Sequence, residues 1–93
     1  MGKSSTMKNI QKKDITEFII MLLERKKPMP KNNNIEKLNF YESGHVDSLG
    51  MMKFIVQIEE KYDIEISESD MMKDDFVTIE GIVNLLHDKI QDR

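Results

Sequence analysis

The sequence predicts an all-α fold, a small four-helix bundle of three main helices and one short one. Three observations carry this. Apolar residues recur at spacings of three and four in three separate stretches, the period of a helix with one buried face. Each stretch follows a side chain suited to capping a helix start. The only strand-like alternation, Ile64 and Ile66, is short and has no second strand to pair with. Composition agrees, with 39 % apolar and 33 % charged residues and only two prolines and four glycines. Ninety-three residues without repeats or linker-like stretches make one small domain, expected over residues 12–93 after a flexible segment over 1–11.

The elements follow in order. Met1 to Gln11 is polar and expected to fray. Gly2 and Thr6 fit an N-myristoylation pattern superficially, and a plain flexible end accounts for them as well. Asp14 followed by Glu17 reads as a capping box before Ile15, Phe18, Ile19, Leu22 and Leu23. Lys26 and Lys27 suit the last turn, at the negative end of the dipole, and Pro28-Met29-Pro30 stops the helix. Lys31 to Gly44 is a long connection with turn chemistry at Asn32-Asn33-Asn34. Ile35, Leu38, Phe40 and Tyr41 are apolar enough to fold it back on the core, so it is expected to be packed and to carry a short helical turn.

The second helix is expected over Ser48 to about Lys61. Leu49, Met52, Ile55, Val56, Ile58 and Tyr62 share its buried face, and Phe54 lies at the edge. Met51 reads equally as a surface or a buried residue. Ser69-Asp70 is expected to cap a short helix from Met71 to Asp75, whose Met71, Met72 and Phe76 plug one end of the bundle. Thr78 caps the last helix, with Ile79, Ile82, Val83, Leu86 and Ile90 facing inward.

Several function classes drop out. No cysteine is present, hence no disulfide, thiolate metal site or cysteine nucleophile. Two distant histidines make no zinc site, and a calcium loop over Asp63 to Asp74 fails because Glu68 occupies the glycine position. No apolar run spans a membrane and no signal-peptide core is present, so a cytoplasmic location is the default. The net charge of −3 is split, with lysines scattered over residues 1–31 and acids dominant from Glu36 onward. Without an arginine cluster or aromatic platform the basic end is no nucleic-acid footprint. The acidic half suits a basic partner surface.

The chain is organised around Glu42-Ser43-Gly44-His45-Val46-Asp47-Ser48-Leu49-Gly50. Asp47 reads as an N-cap and Ser48 as the first helical residue, its hydroxyl held at the surface beside the positive end of the dipole. A serine held this way suits a phosphodiester, and a simple helix cap explains the same residues. A catalytic serine served by His45 lacks an oxyanion hole and a supporting acid, so no enzyme is expected and His45 reads as a loop residue.

In these residues the chain resembles a stand-alone acyl carrier protein of the phosphopantetheine-binding superfamily. Asp47-Ser48-Leu49 looks like the family's attachment motif, and Phe40 to Val46 looks like the loop before it. Ile58-Glu59-Glu60-Lys61-Tyr62-Asp63-Ile64-Glu65-Ile66 is similar to the stretch closing its second helix, and Thr78-Ile79 to the start of its last. The resemblance covers about Asp14 to Ile90. It implies an acyl-carrier-protein-like bundle, with Ser48 carrying 4′-phosphopantetheine transferred from coenzyme A by a magnesium-dependent phosphopantetheinyl transferase. Asp47 and Leu49 would flank the cofactor, Asp47 orienting the modifying enzyme and Leu49 anchoring the helix start. His45, Gly50, Met51, Met52 and Glu59 would belong to the partner surface. The protein would be a monomeric carrier that presents a thioester to acyl- or aminoacyl-activating and transferring enzymes.

Some residues depart from the fatty-acid pattern. Gly50 stands where an acidic residue commonly follows, Met51, Met52 and Lys53 replace acidic and aliphatic positions, and Ser67 replaces a proline. The run Asp70-Met71-Met72-Lys73-Asp74-Asp75-Phe76-Val77-Thr78 is more similar to D-alanyl and other specialised carriers. An unmodified helical interaction module is the rival from another class.

Overall fold

Three helices of 13, 15 and 13 residues carry the fold: α1 (Lys12–Glu24), α2 (Ser48–Tyr62) and α4 (Ile79–Gln91). A four-residue helix, α3 (Glu68–Met71), lies between the last two. The computed structural model describes residues 10–31 and 34–92. The expectations for residues 1–9, including the Gly2 acylation pattern, and for Asn32 and Asn33 fall outside these. Among the described residues there is no strand, only an isolated antiparallel bridge between Asn39 and Thr78. The all-α, acyl-carrier-like bundle of three long helices and one short one is what the molecule forms.

The core is built from the predicted stripes of α1 and α4. Ile15, Ile19, Leu22 and Leu23 of α1 share one core with Ile79, Ile82, Val83, Leu86 and Ile90 of α4, the two helices with the most extensive mutual contact. Leu85 joins them. Gly81 permits a tight approach at the start of α4, because a Cβ there would lie 1.8 Å from the carbonyl oxygen of Asp75. Thr78 caps α4 as expected, its hydroxyl accepting from the Gly81 N–H at 3.0 Å.

The starts of α1 and α3 lie earlier than the sequence suggested. Gln11 is the N-cap of α1, and the carboxylate of Asp14 accepts from the Gln11 N–H at 3.2 Å, so Asp14 closes the box and Glu17 lies in the next turn. Lys26 and Lys27 fall beyond the end of α1 at Glu24, free to reach elsewhere. Ser67, not Ser69, opens α3: its hydroxyl accepts from Asp70 N–H, and the Asp70 carboxylate accepts from Ser67 N–H at 2.9 Å. With the helix shifted, Met72 sits at its C-cap, 82 % exposed, and does not plug the bundle; Phe76 is buried and Met71 half-buried.

The largest correction concerns α2. Its inward face is Phe54, Ile55, Ile58 and Tyr62, with Met51 half-buried, whereas Leu49, Met52 and Val56 point outward. Leu49 and Ile58 are separated by about two and a half helical turns, so one facing in puts the other out. Two aromatic contacts set this rotation. Phe54 packs on Phe40 with ring centroids 5.1 Å apart, and Tyr62 meets Phe18 edge-on at 5.6 Å.

The connection before α2 is packed, as expected. It makes a short 3₁₀ turn (Ile35–Lys37), then donates from Phe40 N–H to Val77 and accepts at Leu38 from Ile79 N–H, while Phe40 is fully buried. Tyr41 departs from expectation and lies outside the core.

Candidate functional site

The junction of this connection with α2 holds the candidate residues. Asn39 shapes it, its side-chain oxygen accepting from the N–H groups of Tyr41 at 3.0 Å and Glu42 at 2.9 Å. Gly44 then turns the chain at φ +90°, a conformation natural to glycine. Asp47 caps α2 by accepting from the Gly50 N–H at 2.7 Å. That bond holds the Asp47 carboxyl below its ordinary range, and the nearby Lys26 ammonium adds to the effect. A Cβ at position 50 would lie 3.1 Å from Asp47 Oδ1, so glycine leaves the cap uncrowded.

Ser48 is the first residue of α2 and is exposed. Its hydroxyl lies 3.0 Å from the phenol of Tyr41. Apart from the N-cap Asp47, whose carboxylate engages the Gly50 N–H, no acid occupies the first turn of α2, and Ser48 stands at the positive end of the helix.

The lysines after α1 brace this junction. Lys27 donates to the Ser43 carbonyl at 2.7 Å, and Lys26 forms an exposed ion pair with Asp47 at 3.7 Å. Their sequence position beside a helix end suggested the dipole instead. Their true partners are sixteen or more residues away, and no local pattern reports that.

His45 is 4 % exposed and is not available to a partner. Its Nε2 faces the Pro28 carbonyl at 3.2 Å, and a carbonyl only accepts, so Nε2 carries the proton. In the neutral ring Nδ1 then accepts from the Ser43 hydroxyl at 2.6 Å. Both ring nitrogens are thus engaged away from Ser48, and the ring ties the loop to the exit of α1. No Ser48–His45 catalytic pair exists in this arrangement.

Glu59 likewise has an internal role, its carboxylate accepting from the Ile66 N–H at 2.8 Å and holding the exit strand-like stretch to α2. Leu49 does not anchor the helix start; it is 89 % exposed, and Met52 is 68 % exposed beside it. Tyr41, expected to fold back on the core, instead stands beside Ser48, because only the fold of the loop brings its phenol there.

The sequence profile of the phosphopantetheine attachment site family matches residues 31–86, more than half of the chain. The chain belongs to that family. Comparison with curated proteins and with solved structures returns no match. Phosphopantetheine-binding domains carry a covalently attached 4′-phosphopantetheine group and are not themselves catalytic; they act as carriers. The residues at the head of α2 fit such a group. A phosphodiester on the exposed Ser48 hydroxyl would lie at the positive end of the helix, with the neighbouring Asp47 carboxylate already engaged by the Gly50 N–H and paired with Lys26. When bound, the arm supplies the thiol that this cysteine-free chain lacks. No described helix is long and apolar enough to cross a membrane.

Proposed function

We propose that Ser48 is the serine that receives 4′-phosphopantetheine, and that the chain is a free-standing, monomeric carrier of an aminoacyl or specialised acyl thioester. The observation that carries this is the exposed Ser48 hydroxyl at the first position of α2, inside the family match and capped by Asp47. A magnesium-dependent phosphopantetheinyl transferase would modify it, and an acid-activating enzyme would load it. A cytoplasmic setting supplies coenzyme A for that reaction. The lean away from bulk fatty-acid synthesis rests on the Asp70 to Thr78 run and on Gly50, Met51 and Lys53 replacing the usual acidic pattern.

The outward stripe of Leu49, Met52 and Val56 supports a partner surface that is apolar rather than acidic. Lys53, exposed, follows Met52 on this helix, so partners that read a negative helix start would bind it weakly. Gly50 leaves the backbone of the first turn open to approach. Nucleic acid and membranes are not among the proposed partners.

Intact mass after incubation with coenzyme A, magnesium and a promiscuous phosphopantetheinyl transferase tests the reading, with Ser48→Ala alongside. A gain of one phosphopantetheine by the parent alone supports it. No gain in either protein favours the rival reading, an interaction module that is never modified, for which Ser48→Ala would leave function intact.

A further inference from the structure

The Ser48 hydroxyl is on a surface side chain, and such a side chain turns among three staggered positions unless something holds it. Here, among the described residues, the phenol of Tyr41 reaches it, with oxygen atoms 3.0 Å apart. Tyr41 is itself 46 % exposed, yet its backbone is firmly placed. Its N–H donates to Asn39 at 3.0 Å, and the residue before it, Phe40, is fully buried against Phe54. The phenol therefore stands on a rigid base rather than at the end of a mobile loop. A phenol both donates and accepts, so it suits either protonation state of the oxygen it faces.

We propose that Tyr41 is a positioning residue for the Ser48 oxygen during attachment of the arm, and the hydrogen-bond donor to the phosphodiester afterwards. This rests on the assignment of Ser48 as the modified serine. In the transfer, the Ser48 oxygen forms a bond to the phosphorus of coenzyme A that carries the pantetheine. The bond from that phosphorus to the bridging pyrophosphate oxygen breaks, and adenosine bisphosphate leaves with its electron pair. The Ser48 proton passes to a base on the transferase. As that proton leaves, Tyr41 donates to the oxygen and keeps it in place. In the product the Ser48 oxygen has no proton, so the phenol must be the donor, either to the ester oxygen or to a neighbouring phosphate oxygen.

The test uses the full chain with coenzyme A, magnesium and a phosphopantetheinyl transferase, comparing the parent with Tyr41→Phe, Tyr41→Leu and Ser48→Ala. Losing the hydroxyl returns Ser48 to three rotamers, so kcat falls about threefold in Tyr41→Phe, with KM unchanged. Tyr41→Leu matches it, because the hydroxyl and not the ring carries the effect. The phosphorus NMR resonance of modified Tyr41→Phe is displaced from that of the modified parent by more than its linewidth, a readout that a structural role for the ring would not move. Thermal melting shows that both variants fold. Parental kcat and an unmoved resonance in Tyr41→Phe overturn the proposal, as does a loss seen in Tyr41→Leu alone. A parent that stays unmodified, or takes the arm on another residue, instead overturns the Ser48 assignment and this proposal with it.

Discussion

Phe40 and Phe54 stack at 5.1 Å between ring centroids, with planes tilted by 55°, and this contact joins the loop before Ser48 to the helix that Ser48 begins. Both rings are buried. Through Phe40 the loop is also pinned to the approach to α4, where its N–H bonds Val77. One residue thus sets the position of the candidate site relative to two helices.

Phe40→Ala removes a fully buried ring and leaves a cavity the backbone cannot close, because its N–H is tied to Val77. A loss of about 3–5 kcal/mol is expected, enough to unfold much of so small a domain. Phe40→Leu should cost less. Urea unfolding of the two variants decides this, and equal midpoints to the parent would show that the ring does not hold the loop.

The Asp70–Lys89 pair links α3 to α4 at 2.8 Å, and its side chains are mostly shielded from solvent. Burial raises the Asp70 carboxyl, but the Lys89 ammonium and the Ser67 N–H outweigh it and hold it below the ordinary value of 3.8. A lowered folded value means the charged form favours folding. The contribution is therefore present above about pH 3.8 and lost as pH falls through the lower folded value. Asp70→Asn should cost about 1–3 kcal/mol at neutral pH. The gap between variant and parent should close in acid. A gap that is the same at both pH values would show that the charge plays no part.

Tyr62 is buried, and burial together with the Asp14 carboxylate raises its phenol to about 12. Its neutral form favours folding, so stability is kept below pH 10 and lost as pH climbs from there toward 12. The chain has two tyrosines, so Tyr41→Phe leaves Tyr62 alone to be followed by ultraviolet absorbance. Ionisation near 10 in the folded protein would contradict its burial.

Leu49 and Met52 lie on the outer face of α2, and replacing them should leave the fold intact. Leu49→Glu and Met52→Glu are expected to shift unfolding by no more than about 0.5 kcal/mol. The same changes should slow modification by a transferase that docks on this face, or loading by the acid-activating enzyme. Unfolding of the variants would mean that the stripe faces the core after all, and unchanged rates would place the docking surface elsewhere.

Much of this was legible along the chain. The stripes of α1 and α4 hold one apolar face each, so period alone placed Ile15, Ile19, Ile82 and Leu86 inside. Asp47 and Thr78 announced their helices because a cap acts on N–H groups three residues away, a distance that sequence reports directly. Ser48 stood out for the same local reason.

What the tertiary structure alone decided depends on residues far apart in sequence. The α2 helix has apolar residues on opposite sides, Leu49, Met52 and Val56 against Phe54, Ile55 and Ile58, and periodicity does not say which side turns inward. Phe40 and Phe18, arriving from other segments, chose it through Phe54 and Tyr62. His45 was drawn into the protein by Ser43 and Pro28, and Tyr41 was left outside with its phenol on Ser48. Local sequence determines capping and which side chains share a face. Packing between distant segments determines which face is buried, and with it which groups surround the Ser48 hydroxyl.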